Sequence, residues 1–323
     1  MNPPIHIVTH FSGIGGCETH AATLAGLLAA RNQQVRIWAD APTAGAAKYG
    51  ATVISPFGGR MPHGGTLILL GTHFTPGKWL DYAKPKRLIV ICVLSFPAQV
   101  FAMLTLLERP TLPSAELAFV SSRLQKTLAL PGILCPEPMD LQRFRPPDRS
   151  DHRNASFTLG RHSRDTLEKH HPDDPSLYRM LAWSGIHTHL LGGTCLNSWL
   201  GDIPEISTHP AGSIAPEIFL SGLDCFFYRT HPSWAEPSGR VVMEALACGL
   251  PIIAHESGGY TDWMEQGKNG YVFASQEEAY ELVLRLEKSP QECAAMALAA
   301  RSTAERESGG VRLESYLNWL TAS

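Results

Sequence analysis

Within its first 40 residues the chain passes from an apolar strand, PIHIVTHF (Pro4 to Phe11), through a glycine turn, SGIGGCE, into a helix, THAATLAGLLAARNQ, and out into a second strand, VRIWAD (Val35 to Asp40). A helical crossover of this length brings the chain back to the same end of a sheet, so the two strands run parallel. An α/β fold with a doubly wound sheet is therefore expected. Apolar runs at TLILLG (Thr66 to Gly71), RLIVICVL (Arg87 to Leu94) and LAFVSS (Leu117 to Ser122) extend that sheet.

The segment PGILCPEPMDLQRFRPP (131–147) is dense in proline and has no periodicity, which marks a crossing between domains. After it the alternation restarts with strands at ASFTLGR (Ala155 to Arg161), THLLGG (Thr188 to Gly193), LDCFFYR (Leu223 to Arg229), LPIIAHE (Leu250 to Glu256) and GYVFA (Gly270 to Ala274). Helices fall at SLYRMLAWSG, RVVMEALACG, SQEEAYELVLRLEKS and PQECAAMALAARSTAER, and VRLESYLNWLTAS forms an amphipathic helix after the break at Gly309-Gly310. A chain of 323 residues fits two domains of about 150 residues each. The expected division is 1–138, then 139–308, with 309–323 as the closing helix.

Composition narrows the partners. Lys and Arg total 27 against 30 Asp and Glu, a net charge of -3, so there is no global basic surface to neutralise a phosphate backbone and nucleic acid is not an expected partner. The seven cysteines are scattered without a C-x-x-C pair, which fits buried thiols in a reducing compartment. The opening MNPPIHIVTHF lacks a basic n-region, and no apolar run reaches about 18 residues. A cytoplasmic location is expected, with peripheral contact at the inner face of a membrane left open. The pairs His170-His171 and His187/His189 lack a carboxylate at ligand spacing, so no metal site is expected, and no G-x-S-x-G elbow occurs.

Three constellations can carry chemistry. In the first turn Gly13, Gly15 and Gly16 let backbone amides approach an anion at a helix N-terminus, although a plain strand-to-helix turn needs the same residues. A dinucleotide fingerprint requires glycine where Glu18 stands, so a nicotinamide role loses its main support. In LGRHSRDTLEKHH, Arg161 ends a strand at the ligand edge of the sheet, and Arg164 and Lys169 follow. Three cations so placed suit a diphosphate, and a solvated loop balanced by Asp165 and Glu168 is the alternative.

The third is WAEPSGRVVMEALACGLPIIAHESGGYTD (234–262), which sets Glu236 in a loop and Glu244 in roughly the second turn of the helix that follows. Gly239 and Arg240 stand where the first helix amides point outward, and Gly249 and Pro251 stop the helix. One carboxylate can then accept the hydroxyls of a sugar and the other those of a ribose, with amides between them for phosphate. An N-terminal helix charge at Glu236 and a salt-bridge partner at Glu244 is the plainer reading.

The run EPSGRVVMEALACGLPIIAHESGGYTDWMEQGKNGYVF resembles the donor-site signature of the glycosyltransferase group 1 family, family 4 of the retaining enzymes. GIGGCETHAATLAGLL is similar to that family's N-terminal glycine loop, PEPMDLQRFRP to its interdomain segment, and LGRHSRDTLEKH to its cation loop. The resemblance implies the GT-B fold: two Rossmann-like domains facing across a cleft, with the C-terminal helix crossing back to the N-terminal domain. It implies a retaining, metal-independent hexosyltransferase without a cofactor, taking a nucleotide-diphosphate sugar as co-substrate and a glycan, lipid-linked or small-molecule acceptor.

Carried over by position, Glu236 contacts the hexose, Glu244 the ribose, and Arg161 and Lys169 the diphosphate. Arg164, Ser238, Gly239, Arg240 and Val241 join Glu244 in donor binding, and Gly15 and Gly16 approach from the other domain. Two departures from the family pattern stand out. Arg161 and Lys169 are eight positions apart, wider than usual, so Arg164 is a candidate for the lysine's role. Where many members carry a histidine, this chain has Leu94, Ser95 and Phe96, and His73 after the preceding strand is the nearest alternative. A nucleotide-sugar epimerase or hydrolase on the same fold, or a non-catalytic nucleotide-sugar-binding protein, are the rival readings.

Overall fold

The computed structural model describes residues 3–12, 15–43, 45–94, 96–147 and 156–322. Gly13 of the first turn, Ser95 and Ala155 lie outside the described residues. The chain divides into two compact units, Met1–Pro138 with Leu313–Ser323, and Met139–Arg312.

The first unit holds strands β1 (Ile5–Thr9), β2 (Val35–Ala39), β3 (Thr52–Val53), β4 (Thr66–Leu70), β5 (Arg87–Cys92), β6 (Ala115–Phe119) and β7 (Ile133–Leu134). Between them run α1 (Gly16–Ala30), α2 (Leu80–Ala83), α3 (Pro97–Leu107) and α4 (Ser122–Leu128). All pairings are parallel, in the order β3-β2-β1-β4-β5-β6-β7. Strands buried on both faces need continuous apolar sequence, and TLILL of β4 and LIVIC of β5 supply it without exposing a side chain.

The second unit holds β8 (Thr158–His162), α5 (Asp174–Trp183), β9 (His187–Leu191), α6 (Asn197–Leu200), β10 (Ile206–His209), α7 (Pro216–Ser221), β11 (Cys225–Tyr228), α8 (Arg240–Ala247), β12 (Ile252–His255), β13 (Gly270–Phe273), α9 (Gln276–Lys288) and α10 (Pro290–Ser308). Its order is β10-β9-β8-β11-β12-β13, again all parallel. In β11 the alternation of side chains sends Cys225 and Phe227 into one buried cluster and Phe226 and Tyr228 into another. Helices therefore cover both faces of this sheet.

The last helix, α11 (Gly310–Thr321), contributes Tyr316, Leu317 and Leu320 to the first unit's core. Two arginines clamp it there: Arg31 pairs with Glu314 and donates to Asn318 at 3.0 Å, and Arg87 lies 4.7 Å over the Trp319 ring.

Several boundaries differ from the sequence expectation. LAFVSS reads as strand to Ser122, whereas the Ser121 hydroxyl accepts from the Leu124 amide at 3.2 Å and starts α4 instead. Helix α1 begins at Gly16, three residues before the expected Thr19, with the Glu18 charge in its first turn. Strands β3, β7 and β10 have no counterpart in the expected set. β3 and β7 are two residues long, and β10, Ile-Ser-Thr-His, is half-buried throughout, so none shows an apolar run.

Candidate functional site

In the second sheet β8 continues to β9 on one flank and β11 to β12 on the other, so the loops leaving their C-terminal ends diverge. That is the switch point at which doubly wound sheets hold ligands. β8 ends in Arg161 and His162, and β11 ends in Tyr228, followed directly by Arg229.

Arg161 is 1% exposed. Its Nη1 donates to the Arg229 carbonyl at 2.7 Å and to Asp174 Oδ2 at 3.3 Å, and its Nη2 donates to the Lys169 carbonyl. Asp174, fully buried at the start of α5, also accepts from Arg229 Nε at 2.5 Å and from the His171 amide at 3.0 Å. One carboxylate thus serves two guanidiniums in a low-dielectric interior. The resemblance sets Arg161 against a diphosphate; the structure turns its guanidinium inward, where it fixes the backbone of Lys169. The counter-ion that draws it there is Asp174.

Lys169 closes the short helical turn Leu167–Lys169. Its Nζ donates to Glu236 Oε2 at 2.6 Å and lies 4.5 Å from the centre of the Trp234 ring. The Tyr228 hydroxyl donates to the same Glu236 oxygen at 2.9 Å. Burial pushes the Glu236 carboxyl up, but the Lys169 charge and hydrogen bonds from Lys169, Tyr228 and Trp234 outweigh it and hold the group below the usual carboxylate range. Burial, with Glu236 beside it, drives the Tyr228 phenol well above its ordinary value, so it stays a donor. The Arg164 guanidinium lies 5.6 Å from the centre of the Trp234 ring and pairs with Glu168 at 2.7 Å near the surface.

The Glu236 backbone is fixed by the glycine pair downstream: the Gly259 amide donates to the Glu236 carbonyl at 2.9 Å. Gly239 precedes α8 with φ of 81°, and a Cβ there would stand 2.6 Å from the buried Tyr260 ring. The left-handed conformation and the close ring both require glycine. From this start, with Ser238 and Val241 half-buried on either side of Gly239 and Arg240, α8 carries Glu244 inward. Glu244 Oε1 accepts from Arg240 Nε at 3.2 Å, and Oε2 stands 3.2 Å from His162 Nε2.

The structure therefore gathers Arg164, Lys169 and Glu236 around Trp234, seats Arg161 on the Lys169 carbonyl and over the Tyr228 ring, and places Arg240 with Glu244 on α8. Gly15 and Gly16 stand in the first unit. There Glu18 Oε1 accepts from the Ser12 amide at 2.8 Å and its hydroxyl at 2.9 Å, closing the turn, and a Cβ on Gly15 would stand 2.2 Å from Glu18 Oε2. Glu18 breaks the dinucleotide pattern because it folds the loop. Asp174, Tyr228 and His162 were not singled out from sequence. The last two sit at strand ends next to residues that were, and Asp174 reads as an ordinary helix-start acid.

Residues 213–303 match the family model described as glycosyl transferases group 1. Spore coat protein SA of Bacillus subtilis (strain 168) is 54% identical over 39 residues, 12% of this chain and 10% of that protein. A probable sucrose-phosphate synthase of Thermosipho melanesiensis is 37% identical over 51 residues, 16% of this chain and 12% of that one. The aligned stretches thus span about a tenth of each curated relative. Among solved structures, Anabaena HepE in complex with UDP-glucose superposes with a TM-score of 0.73 at 16% identity, covering 98% of both chains. The sucrose-phosphate synthase of Thermosynechococcus elongatus gives 0.73 at 12% identity over 98% of both chains. WaaG, a glycosyltransferase involved in lipopolysaccharide biosynthesis, gives 0.71 at 15% over 99% and 100%. Among the described residues no helix is long and apolar enough to cross a membrane. The chain thus has the two Rossmann-like units of the GT-B fold, and its residues 213–303 are similar to the glycosyl transferases group 1 family.

Proposed function

We propose that the protein is a retaining glycosyltransferase that moves a hexose from a nucleotide-diphosphate sugar to a carbohydrate or lipid-linked acceptor, holding the donor in the second unit. The observation that carries this reading is the Lys169–Glu236 pair at the switch point, next to Glu244 on α8 and inside the family segment. A diphosphate brought against Lys169 competes with Glu236 for the ammonium. Glu236 then keeps the Tyr228 hydroxyl and turns its remaining lone pairs to the hydroxyls of the hexose, while Glu244 accepts those of the ribose. Lys169 stabilises the charge that collects on the leaving diphosphate, and Arg161 and Asp174 hold it in place without touching the donor. Retention and independence of added metal follow the family resemblance.

HepE was crystallised with UDP-glucose, which makes UDP the first nucleotide to try. Calorimetry with UDP, GDP and ADP, without added metal, should show one of them binding wild type and losing at least about tenfold in affinity with Glu244→Ala. No binding of any of the three would overturn the donor assignment. The anomeric configuration of the product, read by NMR, tests retention.

One observation favours a second reading, a non-catalytic nucleotide-sugar-binding protein. With Arg161 buried against Asp174, the loop presents fewer cations to a diphosphate than the resemblance implies. Donor binding without turnover on any acceptor is its signature.

A further inference from the structure

Glu244 is approached from two sides. Arg240, one turn earlier on α8, donates to its Oε1 at 3.2 Å, and His162, the last residue of β8, brings Nε2 to 3.2 Å from its Oε2. His162 is 6% exposed and Glu244 7%. Phe219 of α7 and Phe226 of β11 both meet the imidazole edge to face, with ring centres 6.4 and 5.8 Å away. Turning the His162 ring would drive it into the close-packed cluster that holds both phenylalanines. Among the described residues, Nε2 has no aligned hydrogen-bond partner, so its approach to Oε2 is close but out of line.

A bare Nε2 at that distance would set a lone pair against a carboxylate oxygen in a low-dielectric interior. The proton therefore belongs on Nε2, and a small turn of the carboxylate brings the pair into line. An ionised carboxylate offers about four lone-pair sites, two on each oxygen. Arg240 takes one on Oε1 and His162 stands to take one on Oε2, which leaves one site on each oxygen. Two neighbouring hydroxyls can use those sites together only if the carboxylate plane is held against rotation. Arg240 alone is a pivot, and His162 supplies the second point that stops the turn.

We propose that His162 is a positioning residue for Glu244, donating from Nε2 to Oε2 so that the carboxylate accepts both hydroxyls of a ribose at once. This role rests on the proposed donor reading, in which Glu244 meets the ribose. Its consequence is selection of ribonucleotides over 2′-deoxyribonucleotides by a side chain that touches neither hydroxyl. A site built around two hydroxyls is left with an unpaired buried acceptor when one of them is missing.

The test joins calorimetry to ring spectroscopy. UDP, or whichever of GDP and ADP binds in its place, is compared with its 2′-deoxy counterpart on wild type, His162→Leu and His162→Gln, whose amide donates from nearly the same point. Wild type should prefer the ribonucleotide by about tenfold or more, and His162→Leu should shrink that preference to within about twofold. His162→Gln should keep it within about threefold of wild type. In isotope-labelled wild type, the ring signals that vanish in either variant belong to His162, and they should place a proton on Nε2. A His162 protonated on Nδ1 with Nε2 bare overturns the proposal with no nucleotide present, and one folded variant is enough to assign the signals. A nucleotide bound by wild type without ribose preference, or a preference that survives in His162→Leu, overturns it while the donor reading stands. Equal loss in folded His162→Gln and His162→Leu does the same. If wild type binds none of the three diphosphates, the donor reading falls and takes the ribose role with it.

Discussion

The two sheets share a strand order at their centres and both bring loops together beside their first strand, yet the residues at those edges differ in kind. The first edge gathers His10, Asp40, His73 and the loop-closing Glu18. The second gathers Arg161, Arg164, Lys169, Arg229 and Arg240 against Asp174, Glu236 and Glu244. The backbone plan decides where a site sits, and the charge set upon it decides what can enter. The second edge also keeps its ions deep, Asp174 being fully buried beneath two arginines, whereas the His10–Asp40 pair of the first stays partly in solvent. Depth should make the second edge costly to disturb and the first cheap.

The largest effect follows from that depth. Asp174→Ala leaves Arg161 and Arg229 buried without their counter-ion and should destabilise the protein by about 3–5 kcal/mol in urea denaturation. A loss below about 1 kcal/mol would mean that the arginines find other partners and that depth is not what separates the edges. Next, Lys169→Ala should lower transfer, or donor hydrolysis if no acceptor is in hand, by about a hundredfold or more while the histidine resonances of the first unit stay in place. Lys169→Arg is expected to rescue little, since a point charge inserted between Glu236 and Trp234 is not replaced by a planar fork.

A pH prediction sharpens the same contrast. Burial and the neighbouring Arg161 charge lower the His170 imidazole to about 4, and its Nε2 donates to the Gly192 carbonyl at 2.9 Å. The folded value lies below the unfolded one of about 6.5, so the unfolded chain binds the proton first as pH falls. The stability associated with neutral His170 is therefore intact above pH 6.5 and is lost progressively down to about pH 4, by about 3 kcal/mol in all. His170→Gln should flatten that fall, and an unchanged pH profile of unfolding would remove His170 as its source. The smallest effect belongs to the first edge: Asp40→Ala should cost no more than about 1 kcal/mol, because the pair it breaks is partly solvated.

The alternation of strands and helices is legible because buried parallel strands demand unbroken apolar runs, and LILL and LIVIC can hardly be anything else. β3, β7 and β10 are illegible for the converse reason: an edge strand borrows its stability from a neighbour and leaves little mark on its own residues. Glu236 and Glu244 announce themselves by the glycines around them, since Gly239 and Gly259 serve backbone geometry that only a specific loop needs. Arg161 is different. Its position at a strand end is readable, but whether it points out to a ligand or in to a carboxylate depends on Asp174, thirteen residues away, and on Arg229, in another strand's loop. Pairings at that separation are set by tertiary folding and leave no local pattern.

Tyr316, Leu317 and Leu320 complete a core that Ile5 and Ile7 begin, although the whole of Met139–Arg312 lies between them in sequence. On a ribosome adding about 5–20 residues per second, that interval lasts roughly ten to thirty seconds. Through it the first unit waits with an apolar face uncovered, while the second unit has all of its own residues and can finish. The order of synthesis and the order of completion are thus opposite, and a chaperone that binds exposed apolar surface would find its longest opportunity on the half of the protein made first.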